Sequence, residues 1–305
     1  MVASPGNMAA SVHQRLLNKA REEARPFNEM LQYLAMERFL YRLAQSPYAN
    51  DFVLKGALML SAWKVPSPRP TMDIDLLAHT KNDLQQLADI IQRICSEPVE
   101  RDGFVFDPGS VAASRISADA EYEGVRIRFR GNLGNARLVL QIDVGFGDEI
   151  VPGPQDIELP SILGFPVPKI KGYTRKSSIS EKLCAMLELG ELNSRVKDFF
   201  DIWLLSRQFD FSGQTLLKAI ASVLSNRSIA LRLPAHAFEN TFMENPVKQS
   251  QWQGFLRKSQ LAIAPREFSE AAHCVAGFLT PPLEATAAEQ PFPQFWKAPG
   301  PWQCE

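Results

Sequence analysis

Cysteine is scarce in this sequence and is never closely spaced. Its four cysteines form no C-x-x-C pair, and they are Cys95, Cys184, Cys274 and Cys304. This spacing indicates neither a zinc site nor a disulfide framework, because both need clustered thiols. We therefore expect a protein of a reducing compartment. The four histidines are equally scattered, and none is assigned to catalysis.

Long hydrophobic runs are missing as well. No window approaches the ~18 apolar residues of a membrane span, and the first residues lack the apolar core of a signal peptide. We expect a cytoplasmic protein that does not associate with membranes. The formal net charge is −1, so any binding of nucleic acid has to come from a local basic patch.

The composition that remains is that of a globular protein, with 45% hydrophobic and 22% charged residues over 305 positions. Helical periodicity covers residues 12–45, with a break at Pro26. Strand-like alternation occupies the middle of the chain, and helical patterns return from about residue 178. This order predicts an α+β fold, in which a mixed-sheet domain is flanked by helices and followed by a mainly helical domain.

We divide the chain by these patterns. Residues 1–50 are predicted to be helices that pack on the core, 51–175 an α/β core, and 176–280 a helical domain that contributes to the active site. Residues 281–305 hold six prolines and are predicted to form a flexible tail without a core of its own. A weaker alternative makes this tail a docking segment for a partner.

Two aspartates interrupt an apolar run at residues 73–77, DIDLL. In a strand, residues i and i+2 share a face, so Asp73 and Asp75 project side by side. A third carboxylate, Asp143, ends the strand pattern LVLQID. If the two strands are neighbours, three carboxylates meet at one place and can hold Mg²⁺ for phosphoryl transfer. The alternative is that Asp73 and Asp75 are strand-end charges facing water.

Phosphate-binding candidates lie on either side of this motif. Gly56 lets the backbone approach a phosphate closely, with Lys55 and Thr71 lining the same pocket. The alternative is an ordinary turn with an exposed lysine. Basic residues also alternate at 126, 128 and 130, and again within 168–176. Both stretches are candidates for RNA phosphates, or else solvated surface.

The helical half carries a second set of charged residues. Ser178 and Glu181 form a capping-box pattern that predicts a helix start, with Lys182 in the first turn, where an anion is favoured. The alternative is an amphipathic helix with a solvated lysine. Further on, Asp198 and Asp201 share a helix face. Lys197 also lies one helical turn before Asp201, so these two can pair.

Taken together, these motifs resemble the AbiEii/AbiGii family of nucleotidyltransferase toxins. FVLKGALML is similar to the family's KGG-type stretch, with Ala57 in place of the second glycine. RPTMDIDLL is similar to its R-x-[ST]-x-D-[IL]-D motif, and SRVKDFFDIWLL to its R-x-K-D stretch. The resemblance covers roughly residues 12–280. It implies a polymerase-β-like nucleotidyltransferase fold.

The resemblance also implies an activity. It assigns activity to Lys182 and to Asp198, where Asp198 either steadies Lys182 or acts at the acceptor. With the carboxylates of the strand pattern, the candidate catalytic residues are Asp73, Asp75, Asp143, Lys182 and Asp198, and the first three are the expected ligands of Mg²⁺ or Mn²⁺. Contacts with the nucleotide are assigned to Lys55, Gly56, Arg69, Thr71 and Arg195.

The expected substrate is an NTP, whose nucleoside monophosphate passes to an RNA acceptor such as a tRNA 3′ end. The expected setting is a toxin–antitoxin system with a role in phage defence, so an antitoxin protein is an expected partner. The alternative is a catalytically silent module of the same fold, which binds nucleotide or antitoxin.

Overall fold

The computed structural model describes residues 5–66, 68–116, 124–192 and 194–304. The chain divides into two compact units. The first comprises Met1–Lys64, Thr71–Gly147 and Gln155–Gly172, and the second comprises Val65–Pro70, Asp148–Pro154 and Tyr173–Glu305. The second unit thus includes two short segments from earlier in the chain. We describe the two units separately.

In the first unit, the described residues form an eight-stranded mixed sheet. Its strands are β1 (Phe52–Lys55), β2 (Asp73–Ala78), β3 (Phe104–Phe106), β4 (Ala112–Arg115), β5 (Val125–Leu133), β6 (Ala136–Phe146), β7 (Gln155–Glu158) and β8 (Lys169–Gly172). The strand order is β3-β5-β6-β2-β1-β8-β7, and β4 also pairs with β5. β2 runs parallel to β6 and antiparallel to β1. The predicted strand over residues 121–132 corresponds to β5, with residues 121–123 outside the described residues.

The helices of the first unit are α1 (Pro5–Glu22), α2 (Phe27–Gln45), α3 (Leu58–Ala62) and α4 (Leu84–Cys95). Pro26 separates α1 from α2, as predicted, because proline cannot continue a helix beyond its first turn. Asp83 caps α4 by accepting a hydrogen bond from the backbone N–H of Gln86 at 2.7 Å. The apolar face of α4 is buried, which gives this helix its fixed orientation in the unit.

A buried ion cluster joins α2 to the segment before β3. Arg38 and Arg42 both donate to the carboxylate of Asp102, at 3.0 Å and 2.7 Å, and all three side chains are buried. Arg38 also donates to the carbonyl of Pro166 at 2.8 Å. A buried charge is tolerated only when it is paired in this way, so the cluster fixes the register of these segments.

The second unit is mainly helical, as predicted. Its helices are α5 (Arg175–Leu189), α6 (Val196–Gln208), α7 (Gly213–Asn226), α8 (Asn240–Met243), α9 (Pro246–Ser259) and α10 (Phe268–Ala287). Three short strands form a small sheet: β9 (Phe211–Ser212), β10 (Gln294–Trp296) and β11 (Trp302–Cys304). The predicted α+β fold class is confirmed by this architecture.

The predicted start of α5 at Ser178 is wrong. The helix begins at Arg175, and Thr174 is its N-cap, because the Thr174 hydroxyl accepts a hydrogen bond from the backbone N–H of Ser177 at 3.0 Å. Glu181 does not close a capping box at Ser178. It accepts a hydrogen bond from the phenol of Tyr173 at 2.7 Å instead.

The C-terminal segment differs from the flexible tail expected for residues 281–305. α10 continues through Pro281 and Pro282 to Ala287, and β10 and β11 pair with each other. Trp296 is buried and donates its indole N–H to the carbonyl of Ser206 at 2.7 Å. Trp302 stacks on Phe278 with ring centroids 5.6 Å apart. The aromatic side chains anchor a segment that its prolines alone would leave unstructured.

None of the described helices is long and apolar enough to cross a membrane.

Candidate active site

Three aspartates predicted to meet lie on neighbouring strands of the first unit. Asp75 on β2 is the direct register partner of Asp143 on the parallel strand β6, and Asp73 is the partner of Gln141. Neighbouring strands lie about 4.8 Å apart, and alternate residues share a face. The side chains of Asp73, Asp75 and Asp143 therefore project from one face of the sheet, and all three are partly accessible to solvent.

An arginine that the sequence did not place at this site lies beside the third aspartate. Arg126 on β5 is the antiparallel register partner of Asp143. Its guanidinium donates two hydrogen bonds to the Asp143 carboxylate, at 2.8 Å and 2.7 Å. This bond, reinforced by the charges of Asp73 and Asp75, raises the pKa of Arg126. Both oxygens of Asp143 are therefore engaged by a cation from the protein itself.

The turn after β1 approaches the same carboxylates. Lys55 is the register partner of Asp75. Gly56 has a φ of +71°, and a Cβ added to it would overlap the Asp75 side chain. Only glycine fits here, because the position combines a left-handed backbone with no room for a side chain. The close approach predicted at Gly56 is present, but the group it approaches in the structure is a carboxylate.

The backbone conformation at Ala57 accounts for the alanine that replaces the second glycine of the KGG pattern. Its φ of −72° and ψ of −25° are those of an ordinary right-handed helical residue, and it directly precedes α3. A second glycine is not required for this backbone conformation.

Thr71 sets the start of β2. Its backbone N–H donates to the phenol oxygen of Tyr33 at 2.9 Å. Its hydroxyl lies 3.4 Å from the backbone N–H of Asp73, a long hydrogen bond. The side chain of Thr71 is partly exposed.

In the second unit, a lysine and two aspartates form a buried cluster. Asp198 and Asp201 lie on one face of α6, as predicted, and both contact Lys182 of α5. The ammonium nitrogen Nζ is 3.0 Å from Asp198 Oδ1 and 2.7 Å from Asp201 Oδ2. Both carboxylates are almost fully inaccessible to solvent. Because α5 begins at Arg175, Lys182 lies beyond the first turn and away from the favourable N-terminal dipole.

Two arginines predicted to contact nucleotide complete this cluster. Arg69 donates two hydrogen bonds to Asp201, at 2.7 Å and 2.9 Å. Arg195 Nε lies 2.7 Å from Asp198 Oδ2. The possible pairing of Lys197 with Asp201 is not what the structure shows, since Arg69 and Lys182 occupy that carboxylate.

The electrostatics of the cluster keep Lys182 and Asp201 charged. Burial acts to lower the pKa of Lys182, but Asp198 and Asp201 outweigh it and raise that pKa. Burial likewise acts to raise the pKa of Asp201, and Arg69 and Lys182 outweigh it and hold it at about 2. Lys182 is therefore a permanent cation at neutral pH, unsuited to act as a general base.

Three cations meet two carboxylates in this cluster. Lys182 contacts both Asp198 and Asp201, Arg69 contacts Asp201, and Arg195 contacts Asp198.

The predicted basic runs are partly neutralised by neighbours. Arg130 lies 2.8 Å from Asp107. Lys169 lies 2.9 Å from Glu158, and Lys171 pairs with Asp156 at 2.7 Å. The acidic residues that pair with the second run lie on β7, so the sequence of the run alone does not predict this pairing.

The comparisons with known proteins decide the family. The family model described as nucleotidyl transferase AbiEii toxin, type IV toxin–antitoxin system, matches residues 38–274. The chain belongs to the AbiEii family. It is a nucleotidyltransferase, and the resemblance stated from its motifs is confirmed.

Solved structures and curated proteins were also compared. The chain is similar to JHP933 from Helicobacter pylori, with a TM-score of 0.48 and 15% identity over 86% of this chain and 94% of that chain. It is also similar to an H. pylori protein described as a candidate nucleotidyltransferase, with a TM-score of 0.49 and 15% identity over 87% and 99% of the two chains. No curated protein matches the sequence.

AbiEii nucleotidyltransferases generally use an NTP with a divalent metal ion, and the aspartates of β2 and β6 are the candidate ligands for it. Mg²⁺ binds oxygen donors, commonly one or two carboxylates together with substrate phosphates. Asp73 and Asp75 provide that pair. Both carboxylate oxygens of Asp143 accept hydrogen bonds from Arg126. The described residues contain no group of three or more His, Cys, Asp or Glu side chains arranged for a metal. The pair fits the ion, whereas Asp143 as it stands is held by the arginine.

Proposed function

We propose that this AbiEii nucleotidyltransferase transfers a nucleoside monophosphate from an NTP to RNA, with a tRNA 3′ end as the acceptor, in a reaction that depends on Mg²⁺. The observation that carries the proposal is the register of β2 and β6, in which Asp75 lies directly beside Asp143 and Asp73 shares their face. Paired carboxylates on one strand face repel each other unless a cation lies near them.

In this proposal, Asp73 and Asp75 hold the metal ion. When bound, a divalent ion neutralises phosphate oxygens and favours attack at phosphorus. The acceptor hydroxyl oxygen forms a bond to the α-phosphorus as the bond to the bridging oxygen of the β-phosphate breaks, and pyrophosphate leaves. The hydroxyl proton passes to a carboxylate, for which Asp143 is the proposed group.

Arg126 has a defined part in the proposal. Its two hydrogen bonds fix the orientation of the Asp143 carboxylate. An oriented carboxylate within hydrogen-bond reach of the acceptor hydroxyl is what proton transfer requires. Each Asp143 oxygen keeps a second lone pair, so Asp143 can also join the metal while Arg126 holds its hydrogen bonds.

The cations of the second unit are assigned to the triphosphate. Lys182 stays protonated because Asp198 and Asp201 raise its pKa, so it is suited to neutralise phosphate charge and unsuited to remove protons. Asp198 is a positioning residue that holds Lys182. Arg195, whose side chain is 46% exposed where it pairs with Asp198, is a proposed contact of a phosphate. Lys55 and Thr71 of the first unit remain proposed contacts of the nucleotide.

The test is a label-transfer assay. Purified protein is incubated with Mg²⁺, each α-³²P-labelled NTP in turn, and total RNA. The wild type is expected to label RNA, and Asp73→Ala to lower the rate by about 10²-fold or more, as removal of one transition-state-stabilising group does. The matched control is Asp156→Ala, which removes an aspartate of the same unit that is 87% exposed.

The outcomes of this assay distinguish transfer to RNA from transfer to protein and from the absence of catalysis. Label on RNA that is lost in Asp73→Ala and kept in Asp156→Ala supports the proposal. No transfer to RNA with any NTP, or equal transfer by wild type and Asp73→Ala, overturns it. Label that appears on protein and not on RNA contradicts the proposal that RNA is the acceptor.

The toxin part of the proposal is tested in cells. Induced expression without an antitoxin is expected to slow growth, and Asp73→Asn at the same protein level is expected to relieve this. Normal growth with abundant wild-type protein contradicts a toxic activity.

A further inference from the structure

The face of the sheet that bears the three aspartates continues along β5 and β6 as a basic surface. Alternate residues of each strand share this face, and the strand register arranges them in four rows. The rows are Asp75–Asp143–Arg126, Asp73–Gln141–Arg128, Val139–Arg130 and Arg137–Asn132. The side chains in these rows are partly or fully exposed, while the residues between them are mostly buried. We call these residues of β5 and β6 the arginine face.

Positive charge on the arginine face lies beyond the carboxylates. The first row with its β1 partner Lys55 is neutral in formal charge, and so is the second row. Arg130 of the third row pairs with Asp107, and Arg137 adds one positive charge in the fourth row. From Arg126 to Asn132 the face is about 20 Å long, at a strand rise of ~3.3 Å per residue. A polyanion lying along it would have its end at the aspartates.

The arginines farther from the aspartates make only weak interactions with other groups of the protein. Arg128 donates to the side-chain oxygen of Gln141 at 2.9 Å, so its hydrogen-bond partner carries no charge. Arg130 pairs with Asp107, but its side chain is 68% exposed, and such surface pairs are readily exchanged. Among the described residues, no ion pair is recorded for Arg137. Next to these residues lies a cavity of about 380 Å³, lined by Asp107, Arg130, Asn132, Arg137, Leu138 and Val139.

We propose that the arginine face binds the sugar–phosphate backbone of the RNA acceptor, with Arg128, Arg130 and Arg137 contacting its phosphates. This inference rests on the proposed function, because it places the acceptor at the aspartates of that site.

The chemistry of the face favours backbone contacts over base contacts. It carries arginine, asparagine, glutamine and valine, and it has none of the aromatic side chains on which bases stack. Phosphate contacts position a nucleic acid without reading its sequence. We therefore expect binding that is strongly salt-dependent and tolerant of sequence, so that acceptor specificity arises elsewhere.

An acidic protein partner would meet the same positive charge. The continuity of the face with the aspartates favours RNA, because the acceptor has to deliver its hydroxyl to that place. Protein binding at this face is an outcome of the test.

The test compares two double variants with equal loss of charge. Arg128→Ala with Arg130→Ala removes two cations from the face. Arg257→Ala with Lys258→Ala removes two exposed cations from the last turn of α9, outside it. All four side chains are at least partly exposed, so both proteins should fold, which circular dichroism checks. Binding of fluorescein-labelled bulk tRNA is measured by anisotropy between 50 and 200 mM salt, without NTP or Mg²⁺.

The arginine double variant is expected to bind tRNA at least tenfold more weakly. The slope of log K against log salt should fall by about 1.5 to 2, because two phosphate contacts are lost. Arg128→Lys should retain most of the affinity, since it keeps the charge. In the transfer assay, the KM for RNA should rise while the KM for NTP stays unchanged, a split that misfolding would not produce.

The inference is overturned if the arginine double variant binds tRNA with wild-type affinity and slope, or if wild type does not bind tRNA. It is also overturned if the variant loses an acidic protein partner while tRNA binding is intact. Its failure differs from that of the proposed function. Wild-type transfer to RNA with unchanged binding by the variant defeats this inference alone, whereas lost binding without any transfer defeats the proposed function alone.

Discussion

Replacing Asp201 by alanine should destabilise the second unit more than any exposed aspartate replacement. Asp201 is fully buried on α6, and its carboxylate receives two hydrogen bonds from Arg69 and one close contact from Lys182. Its removal leaves two cations of a buried cluster short of a partner. Breaking a buried ion pair from one side costs about 3–5 kcal/mol.

The pKa of Asp201 provides a second, smaller magnitude. Burial would raise this pKa, but Arg69 and Lys182 hold it at about 2, against an ordinary value of 3.8. At 1.36 kcal/mol per unit, the ionised state contributes about 2 kcal/mol at neutral pH. Because the folded-state pKa is the lower one, this contribution is present above pH ~4 and is lost as the pH falls toward 2.

The assay is urea denaturation followed by tryptophan fluorescence. Four of the five tryptophans belong to the second unit, so the signal reports mainly on its unfolding. At pH 7, Asp201→Ala should lower the free energy of unfolding by about 3–5 kcal/mol. The difference from wild type should shrink between pH 5 and pH 2.

The control is Asp210→Ala, which removes an exposed carboxylate paired with Lys297. It should unfold close to wild type, because a surface pair contributes little. If Asp201→Ala unfolds like this control at pH 7, or if its deficit stays constant down to pH 2, the reasoning about the buried cluster is refuted.

Two further predictions concern backbone fit and the C-terminal segment. Gly56→Ala should destabilise the first unit and reduce activity, because its Cβ would overlap Asp75. The control is Gly164→Ala, because Gly164 has a similar φ of +73° and open space around it. This variant should lose only the backbone cost of about 1 kcal/mol. Equal melting temperatures for the two variants would contradict the predicted overlap between a Cβ at position 56 and Asp75. Trp296→Ala should lower the free energy of unfolding by about 3–5 kcal/mol, measured by thermal denaturation, because Trp296 packs against Phe278 at 4.8 Å. If Trp296→Ala had the melting temperature of the wild type, the C-terminal segment would instead be a tail that does not pack against the second unit.

Several expectations from the sequence agree with the structure because they rest on local geometry. Pro26 separates two helices since it cannot donate a backbone hydrogen bond. Asp73 and Asp75 share a face since strand residues alternate. Asp198 and Asp201 share a face since they lie one helical turn apart. Each of these relations spans fewer than five residues, so it needs no knowledge of the fold.

The helix start at Ser178 shows how a local pattern can mislead. A Ser-x-x-Glu pattern is compatible with a helix interior as well as with a cap. Thr174 competes for the same role, and it lies where the chain leaves β8, so its hydroxyl takes the cap hydrogen bond. A cap contributes about 1 kcal/mol, which is too little to set a helix boundary against the packing of the whole unit.

The C-terminal segment shows the opposite error. Its prolines and low regularity predict a flexible tail, but proline content describes only the backbone. The ring contacts of Trp296 and Trp302 with Phe278 form only when α10 is folded. Burial of such large side chains outweighs the absence of regular local structure.

By itself, the sequence determined the family motifs, the alternation of strand residues and the helical faces, because these follow from short-range covalent geometry. Only the tertiary structure decided which charges meet. Arg69 binds Asp201 across 132 residues, and Arg126 binds Asp143 only because β5 and β6 pair in one register. A shift of one residue would turn Arg126 toward the opposite face. Strand register and helix packing are set by the burial of many apolar side chains together, so no motif contains them.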